Sequence, residues 1–147
     1  VEAKMNMTQG PPVVTYTLAE PYPAAVRTVR SALRRNGLRT ALELDVAARL
    51  RHELGAGVAP CSVLYVDDPA VLLEAVVFHR GAALLIPQPV VITGDNRHSE
   101  ALVRSPDSLR GAAPESVRDP LADLMRRISR TIEGVAEEKD AHLAVSS

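Results

Sequence analysis

Residues 13–20, VVTYTLAE, alternate apolar and polar positions and are rich in β-branched side chains, which predicts a strand. The period then changes. In PYPAAVRTVRSALRRNG, Tyr22, Val26, Val29 and Leu33 fall on one helical stripe, Pro23 suits the first turn, and Gly37 suits the left-handed cap that follows. Residues 38–46 alternate again, with Leu38, Thr40, Leu42 and Leu44 expected on one face. AARLRHELGAG predicts a short helix closed by Gly55 or Gly57, and CSVLYVD (61–67) a compact buried strand. In DPAVLLEAVVFHRG, Asp68 is placed to cap a helix, with Pro69 at its first position, His79 and Arg80 in its last turn and Gly81 as its stop.

The most apolar run, GAALLIPQPVVITGD (81–95), sets Pro87 and Pro89 around Gln88. Proline has no N–H for a ladder, so two strand halves, 82–86 and 90–93, are expected to meet at a kink with Gln88 at the bend. GDNR predicts a turn and residues 98–106 its hairpin partner. Composition shifts after Pro106. Residues 107–118 read as a linker and 119–138 as a helix, with Leu121, Leu124, Ile128, Ile132 and Val135 on one stripe and Asp123 spaced to support Arg127 at i, i+4. Residues 139–147 read as a frayed tail and 1–12 as a flexible arm without a signal-peptide core, with Met5 or Met7 as the expected start. The order β-α-β-α-β-α-β-β-α predicts an α+β fold: a mainly antiparallel sheet with helices packed on one side. Its bare face leaves apolar surface that a homodimer would cover.

Composition narrows this picture. A chain of 147 residues, 46% hydrophobic, is one domain with a core, and with no Trp, one Phe and three Tyr that core is aliphatic. A net charge of −1 argues against general nucleic-acid or membrane-surface binding. Cys61 is the single cysteine; it excludes an internal disulfide, points to the cytoplasm, and is expected to be a small buried hydrophobe. No stretch approaches the ~18 apolar residues of a membrane span.

Two stretches, YTLAEPYPAAVRTVRSALRRNGLRTALELDVAARLRHELG and SVLYVDDPAVLLEAVVFHRGAALLIPQPVVI, carry a family pattern over residues 13 to about 105. A Pro-Tyr pair opens the first helix, an acidic residue lies in the second strand, and motifs similar to Ala-Cys-Asn-Pro and Leu-Leu-Pro-Cys-Asn-Val follow. In this the chain resembles the family called domain of unknown function 302. The resemblance implies a compact α+β domain with a TATA-binding-protein-like outline, a homodimer, and no agreed activity. Where the family motifs have cysteine, this chain has Asp67 (in Asp67-Asp68-Pro69) and Gln88 (in Pro87-Gln88-Pro89), so no paired-thiol, metal or redox role carries over.

The leading functional reading is a homodimer that binds a small, partly apolar ligand in a cleft between sheet and helices or between subunits. Glu43, Asp45, Tyr65, Asp67 and Gln88 would supply its polar contacts. Each also has a plain structural reading: Asp68 as a helix cap beside a solvated Asp67, and Glu43 and Asp45 as a solvated strand face. A second reading is an enzyme that uses Asp67, Glu43 or Asp45 as general acid or base. A third is phosphate or nucleic-acid binding along Arg27, Arg30, Arg34 and Arg35 of the first helix, which otherwise form its solvated face. No metal or cofactor is expected, because no histidine pair has the spacing of a zinc site and no phosphate-loop, dinucleotide or nucleophile-elbow fingerprint occurs.

Overall fold

The computed structural model describes residues 13–109 and 114–146, with residues 139–146 as backbone alone. The expectation for residues 1–12 lies outside the described residues. The elements follow the order β1 (Val13–Leu18), α1 (Tyr22–Arg35), β2 (Arg39–Asp45), α2 (Val46–Leu54), β3 (Cys61–Asp67), α3 (Pro69–Phe78), β4 (Gln88–Gly94), β5 (Ser99–Arg104) and α4 (Glu115–Ser146). The strands form one five-stranded sheet in the order β1-β5-β4-β3-β2, antiparallel throughout. The fold is α+β.

Cross-strand register sorts the side chains into rows. On the core side run Glu43–Leu64–Val90–Val103–Val14 and Asp45–Ser62–Ile92–Ala101–Tyr16. The opposite face carries Leu44–Val63–Val91–Leu102–Thr15 and Leu42–Tyr65–Pro89, all exposed or half-buried. The core lies between the first set of rows and helices α1, α3 and α4, with Val29, Leu33, Leu121, Leu124, Ile128 and Ile132 fully or nearly fully buried. Helix α2 stands apart, since its one buried residue, Ala47, is not in that cluster. Gly37 (φ 77°) and Gly55 (φ 66°) take the left-handed positions that follow α1 and α2.

Three expectations are corrected. Residues 38–46 do not keep one alternation: the register shifts between Thr40 and Leu42, leaving Ala41 as a bulge. Leu38 and Thr40 therefore belong to the core side, whereas Leu42 and Leu44 face outward, because one extra residue inverts every later side chain. Residues 82–86 are not a strand half. Arg80–Leu84 form a 3-10 turn, with the Ala82 carbonyl accepting from Leu85 and Ile86 N–H at 2.9 Å. Short apolar runs do not separate helix from strand by pattern, and Pro87 ends this one. β4 then begins at Gln88, and Pro89 sits where β4 pairs with β3 but before the β5 ladder starts at Val90. Finally, α4 starts at Glu115, since the Pro114 carbonyl already accepts from Val117 and Arg118 N–H at 3.0 Å, ahead of Pro120. Its helical backbone continues to Ser146, past the expected end near 138. It packs in cis, and Tyr16 OH meets Ser129 Oγ at 3.2 Å to tie it to β1.

Candidate functional site

Because β2 is an edge strand, the two core-side rows end in carboxylates at the rim of the sheet. Glu43 Oε2 accepts from Arg30 Nη2 at 2.6 Å. Both side chains are about a third exposed or more, so this pair adds little stability. Asp45 Oδ1 accepts from Ala48 N–H at 2.9 Å and caps α2. Beside them Tyr22, the first residue of α1, shares a short hydrogen bond with Ser62 Oγ. Burial pushes the Tyr22 phenol up, the Ser62 hydrogen bond works against that rise, and Asp45, Cys61 and Glu43 add to it. Sequence reasoning missed Tyr22 and Ser62, which lie far apart in the chain and meet only through packing.

The other sequence candidates do not join this cluster. Tyr65 points to the open face between Leu42 and Pro89, while Gln88, one residue from Pro89, points to the core. Gln88 Nε2 donates to the Leu85 carbonyl, and Oε1 is buried with no partner among the described residues. The gap beside it, against Met125 and Ile128, has no room for a water molecule. Asp67 ends β3 buried instead of solvated; burial first, and the neighbouring Asp68 second, push its carboxyl up. Asp68 is the cap, accepting from Ala70 N–H at 3.0 Å, and its second oxygen accepts from Arg127 Nη1 at 2.7 Å. Arg127 therefore serves α3 and not Asp123. Cys61 is half-buried at the start of β3, not fully buried, and its thiol is pushed up by burial and then by Asp45.

Open space large enough for a small molecule lies elsewhere, between α1 and α4. A groove of about 410 Å³ is lined by Arg35, Asn36, Arg127, Arg130, Thr131 and Glu138, among others. A second, of about 310 Å³, shares Arg35 and Glu138 with it and extends along α1 to Arg27. Neither is lined by Glu43, Asp45, Tyr65, Asp67 or Gln88. The arginines of α1 were visible in the sequence, but their apposition to α4 was not. Among the described residues no group of His, Cys, Asp and Glu could hold a metal ion, and no helix is long and apolar enough to cross a membrane.

The family described as Domain of unknown function DUF302 matches residues 14–135, which takes in everything from β1 through most of α4. The chain belongs to the DUF302 family. No curated protein matches it. Among solved structures it is similar to the crystal structure of an uncharacterized conserved protein DUF302 from Bacillus stearothermophilus, at 13% identity, covering 82% of this chain and 95% of that one with a TM-score of 0.72. At that identity the likeness is one of fold. The DUF302 match includes the C-terminal helix, which the sequence motifs alone had left outside the resemblance.

Proposed function

We propose that this DUF302 protein is a homodimeric small-ligand-binding protein of the cytoplasm, and that two copies meet through α3 and the 3-10 turn after it. The observation that carries the dimer is the character of α3. Apart from Glu74 every residue of α3 is apolar, a composition that belongs in an interior, yet only Ala75 is buried. Leu73 (67%), Val77 (71%), Phe78 (74%) and Leu84 (88%) stand exposed. Such surface is unusual on a monomer and favours association. A second copy suits it, because Glu74 on α3 and Arg80 just past its end give the exposed patch charges of both signs, which an antiparallel copy would set against their opposites. The ligand-binding part rests on the grooves between α1 and α4, which are of a size that small-molecule sites have.

Sedimentation velocity across a wide concentration range tests the dimer. The wild-type chain is expected at twice the mass of one chain, V77E at the mass of one, and L42E, on the open sheet face, still at twice. A wild-type monomer at every concentration removes the proposal. Dissociation by L42E with V77E intact would move the interface to the sheet.

A further inference from the structure

The groove between α1 and α4 is built from two arginine-bearing stripes that face each other. On α1, Arg27, Ser31 and Arg35 recur at i, i+4 and i+8 along the smaller groove, and Arg35 is also the α1 wall of the larger one, where Arg127, Arg130, Thr131 and Gly134 line the α4 side. The whole chain carries a net charge of −1, so this concentration of guanidinium groups is local. The state of each one matters more than their number. Arg127 is committed: Asp68 holds it at 2.7 Å, and its Nη2 donates to the Asn36 carbonyl at 3.3 Å, where it covers the negative end of α1. Arg35 has a neutral partner, Ser31 Oγ at 3.0 Å, which orients it without cancelling its charge. Among the described residues neither Arg35 nor Arg130 is ion-paired to a carboxylate, although Glu138 lines the groove with them. Between them, Gly134 leaves open space where a side chain would stand.

We propose that this groove binds a small phosphate-bearing ligand, gripped by Arg35 from the α1 wall and by Arg130 from the α4 wall. The inference rests on the ligand-binding reading above and names its ligand class. Guanidinium groups are forked donors that match the several oxygens of a phosphate, and two of them arriving from separate helices suit a tetrahedral anion better than a planar carboxylate. Ser31, which accepts from Arg35 at 3.0 Å, lines the adjoining smaller groove and leaves the grip to the two guanidinium groups. Glu138 lines both grooves, and its carboxylate works against the arginines in holding an anion.

The test is thermal unfolding of the full chain titrated with sodium phosphate at constant ionic strength, with sodium acetate and sodium chloride as reference salts. Wild type should show saturable stabilisation by phosphate and none by acetate. R34Q, which alters an exposed arginine that lines neither groove, should behave as wild type. In R35Q/R130Q the phosphate concentration for half-maximal effect should rise at least about tenfold. Should the double variant unfold before titration, R130Q alone, at an exposed position, carries the same expectation. Absence of saturation in wild type, equal stabilisation by acetate, or an effect that survives the substitutions would each overturn the proposal. Native mass spectrometry separates the two readings. A small molecule that stays bound to both wild type and R35Q/R130Q would leave ligand binding standing and move it out of this groove.

Discussion

Arg127 of α4 donates to Asp68 at 2.7 Å, so the carboxylate that caps α3 is also the one that fastens α3 to the C-terminal helix. Each oxygen has a separate task, one to a backbone N–H and one to a guanidinium. Arg127→Ala leaves a partly buried carboxylate without its cation and should cost about 1.5–3 kcal/mol, the range for hydrogen bonds to charged groups, read by urea unfolding at neutral pH. Asp123, one turn earlier on the same helix, holds no such bond to Arg127, so Asp123→Ala serves as the comparison and should cost far less.

The same pair predicts a pH dependence. The hydrogen bond from Arg127 holds the Asp68 carboxyl below the usual carboxylate range against the opposing effect of burial, with Ala70 N–H assisting. A depressed folded value means that the stabilisation is present above the unfolded value of about 3.9 and is lost as pH falls through the folded value. The stability gap between wild type and Asp68→Asn should therefore be full at pH 6 and close progressively below about pH 4. A gap that widens on acidification would contradict it.

Asp67 has the opposite sign. Burial raises its carboxyl, so the ionised form penalises the folded state at neutral pH, and that penalty fades as pH falls through the raised value to the unfolded one. Asp67→Asn should raise the unfolding midpoint at pH 7 and make no difference at about pH 3, below the unfolded value. Loss of stability at pH 7 would show that the charged form is needed.

Gln88 is a core residue whose amide spans from β4 to the Leu85 carbonyl. Gln88→Ala strands that carbonyl and opens space against Met125 and Ile128. The expected cost is about 1–3 kcal/mol in chemical denaturation. Phosphate titration should be unchanged, because Gln88 lines neither groove between α1 and α4.

Cys61 should react slowly with thiol reagents at neutral pH, since burial and Asp45 favour the neutral thiol over the reactive thiolate. The rate should climb at alkaline pH, and Asp45→Asn should accelerate it at a fixed pH. Rapid labelling of the folded wild-type protein at pH 7 would contradict both the burial and the charge effect.

Short-range chemistry was legible in the chain. The Asp68-Pro69 start of α3, the left-handed glycine at 37, the period-two pattern of β1 and the apolar run of β3 depend on neighbours a few residues away and appear where the pattern puts them, and of the two candidates to close α2 it is Gly55 that turns left-handed. Their energetics close within one turn or one strand. Tertiary structure decided everything that needed to know what packs against what. The bulge at Ala41 is invisible to periodicity, because both registers of β2 are locally sound; burial of Leu38 against the core selects one and sends Glu43 and Asp45 to the helix side. Arg127 had a candidate partner on its own helix and found a better one on α3, where partial burial strengthens the pair. Arg35 and Arg130 lie far apart in the chain and come to one groove only because the apolar stripes of α1 and α4 bury against the same sheet. A helix's apolar face decides where its polar face ends up, and no local pattern carries that information.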